Sequence, residues 1–152
     1  MYLEPYASGL IKKSPYAQKK IIKGGIVVIL DSIIEKRGLK LITPHSRAVK
    51  KGEIHELITT EEKEAGPGKI VNNVAYVCFF EVSEGGVIIR GDEVYVNKKF
   101  IGKIAGFDDT HMPNHQNIIL YASKKKTGVE LKINLDEEIS IKFIKNKAKG
   151  VV

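Results

Sequence analysis

A mainly β domain is what this sequence predicts: a small antiparallel β-barrel with one or two short helices in the N-terminal third. Three observations carry that reading. Apolar and polar residues alternate over short runs in the second half, as at Val94-Tyr95-Val96 and at Ile139, Ile141 and Phe143. That is the period of two that a pleated strand imposes. Such runs recur about every 8–12 residues with turn residues between them, which is the rhythm of a barrel or sandwich. Gly91, Gly102 and Gly106 fall where such sheets bend or bulge.

The elements follow in chain order. Ser14-Pro15 supplies an N-cap and a proline at the first helical position, so a helix is expected from there to just before Gly24-Gly25. Ile26 to Leu30 reads as a strand, Asp31 to Arg37 as helix or turn, and Leu39 to Thr43 as a strand. Glu61 to Lys69 contains Ala65-Gly66-Pro67-Gly68 and reads as an exposed loop. Ala75 to Phe80 is β-branched and aromatic, as suits a strand buried on both faces. Glu84-Gly85-Gly86 makes a turn, and Val87 to Ile89 follows. Asn97-Lys98-Lys99 turns Val94–Val96 into a hairpin with Phe100–Ala105. Ile118 to Ala122 is a further strand, and Ser123 to Gly128 a lysine-rich turn. Val129, Leu131, Ile133 and Leu135 alternate as if along another strand, which Ile139, Ile141 and Phe143 continue. The basic tail from Lys145 to Val152 is expected to fray.

The chain has 152 residues, 43% of them apolar and 28% charged. These values fit one folded domain, 1–152, rather than a disordered chain. No window supplies the roughly 18 apolar residues of a membrane helix; Asp31 stops the run Ile26–Leu30. The N-terminal residues lack the layout of an export signal. Cys78 is the one cysteine, which excludes an intrachain disulfide and a zinc finger. The expected setting is the cytoplasm. Net charge is +7, compatible with nucleic acid or an anionic ligand. Lysine greatly outnumbers arginine, and arginine is the better reader of bases and phosphates. Lys124-Lys125-Lys126 is most simply a solvated hairpin tip.

Chemistry concentrates in residues 106–117. Asp108, Asp109, His111 and His115 fall within eight residues, with Asn114 among them. Imidazole and carboxylate are common metal ligands and common general acids and bases. Pro113 argues against a continuous helix or strand, so an ordered loop is expected. It could bring His111, His115 and Asp108 to a divalent metal with an open position for water. It could equally form an Asx-turn, with the carboxylates bonding local amides. The segment 43–47 pairs His45 with Arg47, and 52–56 pairs His55 with Glu56. His55 is expected on the outer face of a strand, with Ile54 and Leu57 toward the core. If the fold brought one of these histidines beside the loop, three imidazoles would meet. Cys78 lies in the most apolar run and reads as a buried, inert thiol. There is no Walker loop, dinucleotide fingerprint or nucleophile elbow.

Five pieces recur in order: Tyr76-Val77-Cys78-Phe79, Gly85-Gly86, Gly91-Asp92 to Ala105, Gly106-Phe107-Asp108-Asp109, and Ile118 to Ala122. Together they cover about half the chain. The arrangement resembles the IIA component of the glucitol/sorbitol phosphotransferase system, a family of small β-barrels. The resemblance implies a barrel. That family's phosphoacceptor histidine would align with Phe79 to Ser83, where this chain has no histidine, so the resemblance does not imply a phosphocarrier. The 106–117 block is also similar to that of a small prokaryotic family of unknown function, which implies no chemistry.

Three functional readings stand at this point. One is a protein that binds a metal or small ligand through Asp108, Asp109, His111, Asn114 and His115, with hydrolytic or lyase-type activity left open. Another is a basic module for nucleic acid or an acidic partner, using lysines near 19–23, 124–126 and 145–149. The third is a homo-oligomeric barrel in which the 108–115 loop is structural.

Overall fold

Twelve strands and no helix make up residues 20–144, the part of the chain that the computed structural model describes. They are β1 (Ile22–Ile29), β2 (Ile33–Ile34), β3 (Leu39–Lys40), β4 (Ser46–Val49), β5 (Ile54–Thr60) and β6 (Ile70–Val71). Then come β7 (Val74–Glu84), β8 (Gly86–Ile89), β9 (Glu93–Val96), β10 (Lys99–Asp108), β11 (Asn117–Tyr121) and β12 (Glu138–Lys142). Residues 14–19 of the helix expected from Ser14 lie outside the described residues, as does the tail from Lys145. The end of that helix is corrected: Ile22 and Lys23 belong to β1.

The mainly β expectation holds. The main sheet runs β1-β12-β9-β10-β11-β5-β7-β2, and β1 also pairs with β7. The hydrogen bonding therefore closes into a ring through β1, β12, β9, β10, β11, β5 and β7. Ring pairings are antiparallel except one: β11 runs parallel to β5. Two short pairs, β3–β6 and β4–β8, sit beside the ring.

Local chemistry explains the best-formed parts. Asn97 and Lys98 both adopt positive φ, 48° and 71°. That is the two-residue turn whose twist matches a hairpin, and it joins β9 to β10 as the sequence suggests. β10 bulges near Gly102 and again near Gly106. At Gly106 a Cβ would lie 2.9 Å from Leu41 Cδ1, so the missing side chain lets the 39–43 segment press against the strand.

The strands alternate between two cores. Ile26, Leu57, Phe80, Phe107, Ile118 and Ile141 belong to the larger cluster, to which every strand of the ring contributes. Ile58, Ala105 and Ile119 point the other way and meet Leu39, Leu41 and Val71. The smaller core thus lies on the outer face of the ring, under the 39–71 excursion.

Three more expectations are corrected. Asp31 to Arg37 forms no helix; it holds the short strand β2 and a bend with Lys36 at φ 55°. Val129 to Leu135 is not a strand. Thr127 Oγ1 accepts from the Glu130 amide while Glu130 Oε1 accepts from the Thr127 amide. This reciprocal capping box starts a turn, which leaves Val129 and Leu135 exposed. Finally, His55 faces inward and is 3% exposed, whereas Ile54 is exposed. Ile54 and Leu57 are three apart, so a strand cannot point both toward one core; Leu57 wins, and His55 goes with it.

Candidate functional site

The site starts from one row of register partners. Phe79 on β7 pairs with Glu56 on β5, Glu56 with Asn117 on β11, and Asn117 with Asp108 on β10. Partners in register share a face, here the outer face that carries the smaller core. Three polar residues thus lie side by side on a face whose next positions, Ile58 and Ile119, are apolar. Glu56, Asn117 and Asp108 are all buried.

The loop between β10 and β11 folds over this row. Asp108 anchors it. Its Oδ2 accepts from the Thr110 amide and from Asn117 Nδ2, and its Oδ1 accepts from the Thr110 hydroxyl. This is the Asx-turn arrangement. Gln116 Nε2 donates to the Asp108 carbonyl and to Asp109 Oδ1. The backbone turns through 109–115, with the amides of Asn114 and His115 both donating to the His111 carbonyl. Residues 109–114 are exposed, while His115 turns back into the protein.

His115 is the pivot. Its ring stands edge-on to Phe79, with centroids 4.9 Å apart, and stacks on His111 at 5.1 Å. Asn114 Nδ2 lies 2.9 Å from Nδ1; when that amide donates, the ring proton sits on Nε2. Nε2 in turn lies 3.3 Å from Glu56 Oε1. The approach is not aligned as a hydrogen bond, and Nε2 is buried without one, as is Asn117 Oδ1. Burial pushes the Glu56 carboxyl up to about 7, against the opposing pull of Arg37. Burial lowers the His115 pKa and the nearby rings of His111 and His55 lower it further, against the Asn117 side chain, which raises it. Both shifts favour the neutral forms: the carboxyl holds its proton more tightly and the imidazole less tightly.

His55 is a different kind of buried imidazole. Nδ1 accepts from the Gln116 amide at 3.0 Å, which leaves the proton on Nε2, 3.0 Å from Glu53 Oε1. Arg47 Nη1 lies 2.8 Å from the same Nε2. Burial and the Arg47 charge lower the His55 pKa against the pull of Glu53. Burial alone would raise the Glu53 carboxyl; the bonds from His55 and the Lys50 amide outweigh it and leave it lowered.

His55 does come beside the 108–115 loop, so three imidazoles gather. The partnerships differ from sequence order, however: Arg47 reaches His55, and Glu56 reaches His115. Among the described residues no group of three or more His, Cys, Asp or Glu side chains is arranged to hold a metal ion. The reasons are visible at each residue. Both Asp108 oxygens and both His55 nitrogens already face hydrogen-bond partners. His111 and His115 are stacked, which sets their lone pairs in offset planes. Cys78 is buried, its thiol pushed up to about 12 by burial and the nearby Glu56 carboxylate.

Sequence reasoning placed His111, Asn114 and His115 at the site and did not include Glu56, Asn117 or Phe79 in it. No local signal marks those three, because the β5–β11 pairing joins segments about sixty residues apart. Asn117 falls inside the 106–117 block, but its role there depends on the pairing with Glu56 and Asp108.

No curated protein and no solved structure matches this chain. A family model described as a family of unknown function, DUF6917, matches residues 16–142. That span takes in the whole ring and every residue of the site, and the chain belongs to this family.

Proposed function

We propose that this protein binds a small polar ligand at the Glu56–His115 pair and exchanges a proton with it. The ring is read as a small cytoplasmic barrel that carries this site on its outer face. One observation carries the proposal: a buried His115 Nε2 with no hydrogen bond stands 3.3 Å from a carboxyl pushed up to about 7. Buried polar atoms are nearly always paired, and perturbed acid–base pairs concentrate at functional sites. A carboxyl that keeps its proton up to about pH 7 can give it to a ligand, and the neutral imidazole beside it can accept one.

The remaining roles follow from position. His111 and Asn114 are exposed at the rim and meet a ligand first. The unpaired Asn117 Oδ1 accepts a donor from it. Asp108 is a positioning residue, since its oxygens hold the loop and Asn117. The ligand class this favours is a small molecule with an N–H or O–H donor beside an ionisable oxygen. A divalent metal on His115 and Glu56 is the competing reading, with two protein ligands instead of the usual three or four.

Two measurements on the untagged protein decide. A mixture of small hydroxy acids, amides and enols is screened by NMR against parent, His115→Ala and Glu56→Gln. A hit that shifts the His111 and His115 ring signals, and is lost in both variants, supports the site. Metal content is measured on the same samples. Stoichiometric metal in the parent, absent from a His111→Ala/His115→Ala double variant, replaces the proton-exchange reading with the metal one.

A further inference from the structure

We propose that a second pocket on the same outer face, around Arg90, binds a small phosphorylated ligand. Lys63, Arg90, Lys103 and Tyr121 wall a cavity of about 280 Å³, with Ala65 and Gly91 among its other lining residues. No acidic side chain lines it. Lys103 and Tyr121 are register partners on β10 and β11, so the topology sets them on one face. Tyr121 lies four residues beyond Asn117 on the same side of β11, about 13 Å along the strand. The pocket is therefore separate from the Glu56–His115 pair.

Arg90 is the centre of the argument. The residue is half-buried, and it has no ion pair or side-chain hydrogen bond among the described residues. Gly66 backs it so closely that a Cβ there would lie 3.0 Å from Arg90 Nη2. The loop thus lays bare backbone against the guanidinium of a residue that lines the cavity. A guanidinium with no carboxylate partner keeps its N–H donors for an anion. A planar fork suits two oxygens of one phosphoryl group, and the exposed Lys63 on the cavity wall adds positive charge. Tyr121 adds a hydroxyl donor and an aromatic face for an organic body. The volume fits a small molecule and is too small for a nucleic-acid strand to lie inside.

The test is calorimetric titration of the full chain with inorganic phosphate, pyrophosphate and a short single-stranded oligonucleotide, each at low and moderate salt. The expected result is saturable 1:1 binding of pyrophosphate, weakened about tenfold or more by Arg90→Gln. Arg90→Lys keeps the charge without the fork and should fall between. Lys124→Gln, outside the pocket, should bind as the parent does. Should Arg90→Gln unfold, the exposed Lys63→Gln gives the same readout with a smaller loss. Three results would overturn the proposal. One is no saturable phosphate or pyrophosphate binding at millimolar concentration. Another is unchanged affinity in a folded Arg90→Gln. The last is an oligonucleotide that binds more tightly than pyrophosphate and loses as much affinity in Lys124→Gln as in Arg90→Gln.

Discussion

His55 and His115 are both buried imidazoles on the β5–β11 seam, and they are built to opposite ends. His55 has a partner at each nitrogen: the Gln116 amide on one, Glu53 and Arg47 around the other. His115 has an edge contact to Phe79, a stack with His111 and a buried Nε2 without a hydrogen bond. Burial lowers both pKa values, so desolvation does not distinguish them. Satisfaction does. A buried polar group with all its bonds made holds a fold together; one left open costs stability and keeps a capacity for something else. Asp108 and Glu56 repeat the contrast among carboxylates. Asp108 is bonded at both oxygens, while Glu56 takes its proton back near neutral pH.

The largest expected effect lies on the satisfied side. His55→Ala leaves the Gln116 amide without its acceptor and opens space against Phe80. Chemical denaturation should show a loss of about 3 kcal/mol. A loss under about 1 kcal/mol would mean the His55 bonds are not structural, and the comparison would fail at its first term.

The next effect has the opposite sign and depends on pH. The Glu56 pKa is raised on folding from 4.5 to about 7. Its contribution to stability is fully present below pH 4.5 and is lost as pH rises through 7. Glu56→Gln removes that loss. The variant should match the parent near pH 4 and exceed it by about 3 kcal/mol at pH 8, the worth of the shift. A pH-independent difference between the two would show that Glu56 does not hold a displaced proton.

The smallest effect sharpens the site's edge. His111 is exposed and touches His115 only through the stack. His111→Ala should change stability by less than about 0.5 kcal/mol. It should also raise the His115 pKa, because the neighbouring ring is one of the causes that lower it. Imidazole NMR titration reads this directly; a His115 midpoint that stays put or falls would remove His111 from the pair's electrostatics.

Much of the ring could be read from residue order. The apolar run of β7, the alternation of β9 and β12, and the Asn97-Lys98 turn are local signals, and each appears where expected. The loop of 108–115 was legible too, because Pro113 and the paired aspartates fix a turn within a few residues. Where local signals conflicted, tertiary contacts decided. His55 is expected to face outward, but the packing of Leu57 two residues on turns it into the core beside Phe80.

The amino-acid order alone thus determined a mainly β chain, an inert thiol at Cys78 and a loop that presents His111, Asn114 and His115. Only the tertiary structure decided that β5 lies parallel to β11. That one pairing sets Glu56 beside Asn117, brings His55 under the loop and leaves His115 Nε2 facing a carboxyl. The physical reason is range. Strand period and turn chemistry act over a few residues, whereas the proton affinity of Glu56 is set by burial against residues about sixty positions away.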